Sequence, residues 1–312
     1  MYNRAAIVEA VRKLRIWQTG DKRAPHKPLL LLVALGQLLQ GRRELGFPEV
    51  EERLLPLLEE YAPPKRGKHQ PMYPYWHLQS DGLWIVPGAQ TMPKQMNGIP
   101  RMGALRESQG MFPPEIAATF MADQGLVAQV VQELLDSHFP PSIHDGLREH
   151  IGLEQIAPAS PPLAADGSAA QPKRPRTRDP EFRRLVLQAY EHRCAATGFR
   201  AALGRSYFGV EAAHVRWHAL DGPDVVGNGL VLDPTMHMLL DRGAWSMSDD
   251  RKILVSAQFT GSDEAVGRLR ALHGKPLRQP LVGHEPLRQE FIRWHREPGK
   301  GGVFRQPALG GV

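Results

Sequence analysis

Apolar positions recur at helical spacing in three early segments of the 312-residue chain. Over 3–17, Ile7, Val8, Val11 and Leu14 share one face, which predicts an amphipathic helix. The run "PLLLLVALGQLL" (28–39) is apolar almost all round and predicts a buried helix started by Pro28. It is too short to cross a bilayer, which takes about 20 residues. A third helical pattern covers 49–61. In "YWHLQSDGLWIVPG" (75–88), aromatic and β-branched residues flank Ser80-Asp81-Gly82, which predicts a hairpin. "FPPEIAATFMADQGLVAQVVQELLDSHF" predicts one or two further helices.

The pattern then lapses. No aromatic residue lies between Phe139 and Phe182, and "APASPPLAADGSAAQPKRPRTRDP" (157–180) is rich in Ala, Pro, Ser and Gly. Such a stretch buries too little apolar surface to order itself, so it predicts a flexible linker. Lys173, Arg174, Arg176 and Arg178 near its end read either as a solvated terminus or as a tether along a phosphate backbone. The expected division is an N-terminal domain over 1–150, a Pro/Ala-rich basic linker over 151–178 and a C-terminal domain over 179–312. Each is long enough to bury a core.

The C-terminal half opens on a helix signal: Asp179 as N-cap, Pro180 at the first position and Glu181 in the first turn. "YFGVEAAHVRW" and "NGLVLD" predict strands. "DPTMHMLLDRG" predicts a short helix capped by Asp233 and stopped by Gly243. "WSMSDDRKILVS" predicts a hairpin turning at Asp249-Asp250, and "EPLRQEFIRWHRE" a late helix. The fold class is α+β: a mixed α/β domain, then a helix–strand–loop–strand–helix–hairpin unit.

Charge adds a partner. Lys plus Arg outnumber Asp plus Glu 39 to 33, and residues 1–110 hold 16 of one against 10 of the other. This excess suggests an anionic partner, nucleic acid ahead of an acidic membrane surface. The lone cysteine, Cys194, excludes an internal disulfide and a Cys-rich zinc knuckle. It suits a reducing cytoplasm and reads as a buried small hydrophobe. The N-terminus has no apolar signal core.

The chemistry concentrates in "EAAHVRWHALDGPDVVGNGLVLDPTMHMLLD" (211–241). Two antiparallel strands would bring His214 back beside a helix on which His237 and Asp241, four apart, share a face. Imidazole and carboxylate together suit a divalent cation. These elements, "EAAH", "NGLVL", a His nine residues after Asn228, and "LLDRG", resemble the HNH nuclease family. The resemblance implies a ββα-metal fold that hydrolyses phosphodiesters with one Mg2+ or Mn2+. It implies His214 as general base, Asn228 fixing the turn and orienting His214, and His237 and Asp241 as metal ligands. Many relatives carry a ligand just before the base, where this chain has Ala213; Glu211 is the substitute that would reach in. No structural zinc is expected. His218 reads as an exposed loop residue, and Arg242 as a phosphate contact or a surface salt bridge.

The N-terminal half has its own pattern. "KRAPHKPLLLL" places Lys22, Arg23, His26, Lys27 and Pro28 at a helix start, a setting suited to phosphate. "KRGKHQPMYPYWHL" sets a basic loop against Tyr73, Pro74, Tyr75 and Trp76, and "NGIPRMGALRESQG" adds Arg101 and Arg106. These stretches resemble the sulfur-binding domain of type IV restriction endonucleases that recognise phosphorothioate DNA, where it precedes an HNH domain. The resemblance implies an apolar pocket between the Tyr73 and Pro74 rings. There a sulfur would gain dispersion contacts, whereas an unpaired phosphate oxygen would lose roughly 2–7 kcal/mol. Arg23, His26, Lys27 and Arg101 would hold the backbone or base edges. The partner implied is double-stranded DNA, with a homodimer as one route to cutting both strands, and the linker would let the cut fall at a distance. Two alternatives stay open: a reader of a modified base or of plain DNA, and a metal-free DNA-binding protein.

Overall fold

The computed structural model describes residues 3–19, 22–64, 67–156, 179–297 and 302–310, with the side chains of residues 19, 22 and 23 outside that set. Of the linker expected over 151–178, residues 157–178 lie outside the described residues, while Ile151 and Leu153 are buried in the first unit.

Helix α1 (Arg4–Arg12) starts where Asn3 accepts from the Ala5 amide, and it buries Ile7, Val8 and Val11. Strands β1 (Gln18–Thr19) and β2 (Lys22–Arg23) lead to α2 (His26–Leu39), buried continuously from Pro28 to Leu38. Strand β3 (Glu44–Gly46) and α3 (Phe47–Tyr61) follow. Next come α4 (Met72–His77), α5 (Met102–Arg106) and β4 (Gln109–Met111), which pairs with β3. Helices α6 (Pro114–Ala122), α7 (Gln124–His138) and α8 (His144–His150) close the unit. Its apolar core is centred on α2 and runs on to Ile151 and Leu153.

The expected hairpin over 75–88 is instead α4 followed by a 3-10 turn, Leu78–Asp81, which ends at Gly82 with φ +72°. Pro71 and Pro74 are the physical reason. Each fixes φ in the helical range, and their missing N–H groups fall in a first turn where no intrahelical partner is needed. Tyr75 and Leu78, three apart and both fully buried, mark the helical face. Extended pairing survives only at Ile85, bridged to Met111.

The second unit opens with α9 (Pro180–Ala189), capped as its sequence predicts by Asp179. Strands β5 (Ala201–Leu203) and β6 (Ser206–Phe208) form an exposed hairpin. Strands β7 (Glu211–His214) and β8 (Gly229–Leu232) pair antiparallel, with His214 opposite Gly229. Helix α10 (Pro234–Asp241) is capped by Asp233, which accepts from the Met236 amide. Strands β9 (Trp245–Met247) and β10 (Ile253–Val255) then pair. Helices α11 (Asp263–Arg270) and α12 (Gln289–Arg296) follow; α12 buries Phe291 and Ile292 in the core of this unit and Trp294 in a smaller cluster with Trp217, Leu220 and Val303. Cys194 is buried, and its burial pushes the thiol pKa up. The architecture is α+β in both units. Among the described residues no helix is long and apolar enough to cross a membrane.

Candidate nuclease and DNA-reading sites

Side chains alternate along a strand, so Glu211 and His214, three apart on β7, turn to opposite faces. His214 meets α9: its ring stacks on Phe182, with centroids 4.0 Å apart and planes at 15°. Gly229 permits this approach, because a Cβ there would fall 2.5 Å from Val186 Cγ2. His214 Nε2 lies 2.7 Å from Asp224 Oδ1. A carboxylate oxygen accepts, so Nε2–H is the donor. The other Asp224 oxygen sits 3.6 Å from His218 Nε2. His218, expected to be exposed, has a side chain only 11% exposed. The 3-10 turn His218–Leu220 folds it back toward Asp224.

Asn228 is fully buried and works on the backbone. Its Oδ1 accepts from the Arg216 amide at 2.9 Å, and its Nδ2 donates to the carbonyls of Arg216 and Pro223, each at 3.0 Å. One side chain therefore ties together both ends of the loop between β7 and β8. Pro223 precedes Asp224, so the amide that grips the loop also places the carboxylate that holds His214. Asp224 went unnoticed in the sequence; its signal was a carboxylate four residues before the asparagine, in "GPDVVGN".

On the other face of β7, His237 Nδ1 donates to Glu211 Oε2 at 2.7 Å. Its Nε2 lies 3.3 Å from Asp241 Oδ2, the i,i+4 pair expected on α10. The two carboxylates thus sit at opposite edges of one imidazole. Among the described residues no three His, Cys, Asp or Glu side chains gather as a metal cluster. The donors nonetheless suit a divalent cation in part. Ligands at about 2.0–2.2 Å from a common ion stand about 3 Å from each other, the separation of His237 Nε2 and Asp241 Oδ2. Glu211 takes the position from which a carboxylate orients a ligating histidine. Arg242, beside Asp241, forms a salt bridge to Glu60 of the first unit at 2.6 Å.

The expected DNA-reading residues separate into a surface set and a structural set. Tyr73 is 40% exposed, and its ring lies parallel to His77, 6.2 Å away. Burial, with Lys27 nearby, holds the His77 pKa below the usual imidazole range. Pro74 is buried. Tyr75, grouped with these in the sequence, belongs to the core: it is fully buried against Phe47 and Trp84, and its hydroxyl meets Ser108 Oγ at 3.1 Å. Burial pushes its pKa up to about 12. Trp76 is half-buried with the Lys94 ammonium 5.6 Å above its ring.

Lys27 pairs with the buried Asp81 at 2.5 Å, fixing the start of α2 on the turn after α4. Pro28 is buried in α2. His26 Nε2 faces His69 Nδ1 at 3.3 Å. Arg101 and Arg106 are exposed and form no ion pair among the described residues. The side chain of Arg23 lies outside those residues.

Residues 4–156 match the family described as ScoMcrA-like, DNA sulfur-binding domain, and residues 194–248 match the HNH endonuclease family. No curated protein matches the chain. Among solved structures, the sulfur binding domain of ScoMcrA complexed with phosphorothioated DNA is 24% identical with a TM-score of 0.43, covering 48% of this chain and 96% of that one. The corresponding domain of SprMcrA, also complexed with phosphorothioated DNA, is 22% identical with a TM-score of 0.41, over 50% and 97%. The type IV phosphorothioation-dependent restriction endonuclease ScoMcrA is 24% identical with a TM-score of 0.41; the match spans 48% of this chain but only 32% of that enzyme. The chain therefore joins a ScoMcrA-like DNA sulfur-binding domain, residues 4–156, to an HNH endonuclease domain, residues 194–248.

Proposed function

We propose that the chain is a modification-dependent, type IV restriction endonuclease that docks on phosphorothioated duplex DNA and hydrolyses phosphodiester bonds nearby. The observation that carries this reading is a sulfur-binding domain and an HNH domain in one chain. The second of these holds a histidine buttressed by a carboxylate, with a separate His–Asp pair one strand face away.

Reading would fall to the exposed face of α4. The exposed Tyr73 ring and its neighbour Pro74 would form an apolar seat for sulfur that offers an oxygen no donor. Discrimination then comes from rejecting oxygen as well as from holding sulfur. Arg101 and Arg106, exposed and without an ion pair among the described residues, are cations available to the backbone. Lys27 and Tyr75 support the fold beneath.

In the nuclease unit His214 is the general base. With Nε2–H donated to Asp224, its other nitrogen carries the lone pair that takes a proton from water, and Asp224 stabilises the imidazolium that results. Asn228 holds the loop that sets this pair. His237 Nε2 and Asp241 would hold a divalent cation such as Mg2+ or Mn2+, and Glu211 would fix the His237 ring through Nδ1. When bound, that cation neutralises charge developing on the phosphate and its leaving oxygen. A second copy of the chain would supply the site for the other strand.

The deciding experiment compares two duplexes differing in a single sulfur, at one fixed salt concentration. The full chain should prefer the sulfur duplex by about a hundredfold, a difference of about 2.7 kcal/mol. Tyr73→Ala should remove most of that preference. Equal binding of the two duplexes by the native chain would defeat the sulfur reading and turn attention to modified bases. Equal preference in Tyr73→Ala would move the pocket elsewhere on the domain.

A further inference from the structure

The last turn of α10 is held by the other domain. The Asp241 side chain is 1% exposed, and Ser142 Oγ donates to its Oδ2, the same oxygen that faces His237 Nε2. Ser142 sits in the 3-10 turn Pro141–Ile143 that follows α7 in the sulfur-binding domain, 99 residues away in sequence. The grip continues at the next residue. Arg242 donates to Glu60 Oε1 at 2.6 Å, reaches the Tyr61 hydroxyl at 3.4 Å, and lies over the Tyr61 ring at 5.5 Å. Gly146 leaves the room this needs, because a Cβ there would stand 2.6 Å from Arg242 Nη2. Arg305 completes the clasp. Its guanidinium donates to the carbonyls of Glu60 and Ala62, while its amide donates to the Gly243 carbonyl, two residues past Asp241, at 2.9 Å.

We propose that Ser142 is a positioning residue for the nuclease metal site, so that the sulfur-binding domain completes the site it directs. This rests on the reading of Asp241 as a ligand. The terminal torsion of a carboxylate has broad, shallow wells, so losing this hydroxyl would widen the range of orientations that Asp241 samples beside His237. A hydroxyl donating to Oδ2 restricts that torsion, and the oxygen keeps lone pairs for a cation. Removing such an outer partner lowers metal affinity about 10–100-fold in metalloproteins generally. The nuclease fold contributes His237, Asp241 and Glu211; the hydroxyl that steadies Asp241 comes from the reader.

The test uses the full chain, with no DNA, and Mn2+ alone as probe, following free Mn2+ by electron paramagnetic resonance. Thermal unfolding is recorded for each variant. Asp241→Ala should abolish binding at the histidine site. Ser142→Ala should weaken it at least about tenfold, with an unchanged unfolding temperature, and Ser142→Thr, which keeps the hydroxyl, should restore affinity. Native affinity in Ser142→Ala together with loss in Asp241→Ala would overturn the proposal and leave the ligand reading standing. Native affinity in Asp241→Ala would overturn the ligand reading and the proposal with it. A loss in Ser142→Ala that threonine does not repair would mark a packing effect and overturn the proposal as well.

Discussion

The proposed role of His214 as a base depends on Asp224. A neutral imidazole has two tautomers, and the 2.7 Å contact from Nε2 to Asp224 Oδ1 selects one of them. Stacking on Phe182 fixes the ring plane. Removing the charge while keeping the shape should separate these contributions. Asp224→Asn can present its N–H to His214 and favour the wrong tautomer, the failure that an amide causes beneath a catalytic histidine. Metal-dependent nicking by Asp224→Asn should therefore fall about 10²-fold or more, within the 10²–10⁴ range of general-base catalysis. The partly exposed carboxylate contributes little to folding, so the unfolding temperature should barely move. Nicking at the native rate would show that the carboxylate is not needed. At this scale the sequence was informative for residues whose type is unusual in their setting. His214 in a strand, Asn228 between glycines and His237 on an apolar helix were all legible. Asp224 was not, because a loop aspartate has many ordinary uses. Its position is set by Asn228 hydrogen bonds to Arg216 and Pro223, which join residues far apart in the loop.

Among the elements, α10 and α12 show how a late segment supports an early site. His295 of α12 is fully buried; its Nε2–H donates to the Leu240 carbonyl, one residue before Asp241, and its Nδ1 accepts from Ser246 Oγ. Burial lowers its pKa to about 4. The unfolded ring, with an ordinary pKa near 6.5, takes up a proton that the folded ring refuses until about pH 4. Between those values the unfolded state binds more protons, so stability is full above about pH 6.5 and falls as pH falls. The loss should reach about 1–2 kcal/mol by pH 5.5 and about 3 kcal/mol near pH 4. Urea titrations at pH 7.5 and 5.5 would measure it, and His295→Gln, which cannot titrate, should show that much less pH dependence. A mutant with the same pH dependence as the native chain would place the acid sensitivity elsewhere. Capping signals made α9 and α10 readable in advance: Asp179, Asp233 and the glycine at 243 stand where the helices begin and end. The segment 75–88 misled because short apolar runs carry no decisive period. Pro71 and Pro74, just before that run, set the first turn of a helix instead.

In the whole molecule, the separation between reading and cutting is set by how the two domains are tied. If the 22 residues 157–178, outside the described residues and expected from their composition to be a flexible linker, were the only tie, the reach would be about 25 Å root-mean-square, or about seven base pairs at 3.4 Å each. Cuts would then scatter over such a range. The contacts among Glu60, Tyr61, Ser142, Asp241, Arg242 and Arg305 remove that freedom. Asp241 and Arg242 stand in the "LLDRG" stretch, but no sequence pattern announces their partners, because each contact joins residues about 100 or more apart. A half-exposed pair such as Arg242–Glu60 contributes about 0–1 kcal/mol alone; its effect comes from acting beside Arg305 and Ser142 on the same helix end. If the docked arrangement persists on DNA, the native chain should cut a duplex carrying one phosphorothioate at a fixed distance from it, within one or two base pairs. Replacing Glu60 and Arg305 by alanine should leave sulfur binding intact, since the Glu60 side chain faces Arg242 and Arg305 belongs to the second unit, and spread the cuts over about seven base pairs. Sequencing the ends released from such a duplex would read both distributions. A broad spread from the native chain would mean that the domains part when DNA binds and that the linker sets the reach; a narrow one that the double variant broadens would assign the ruler to the clasp at the end of α10.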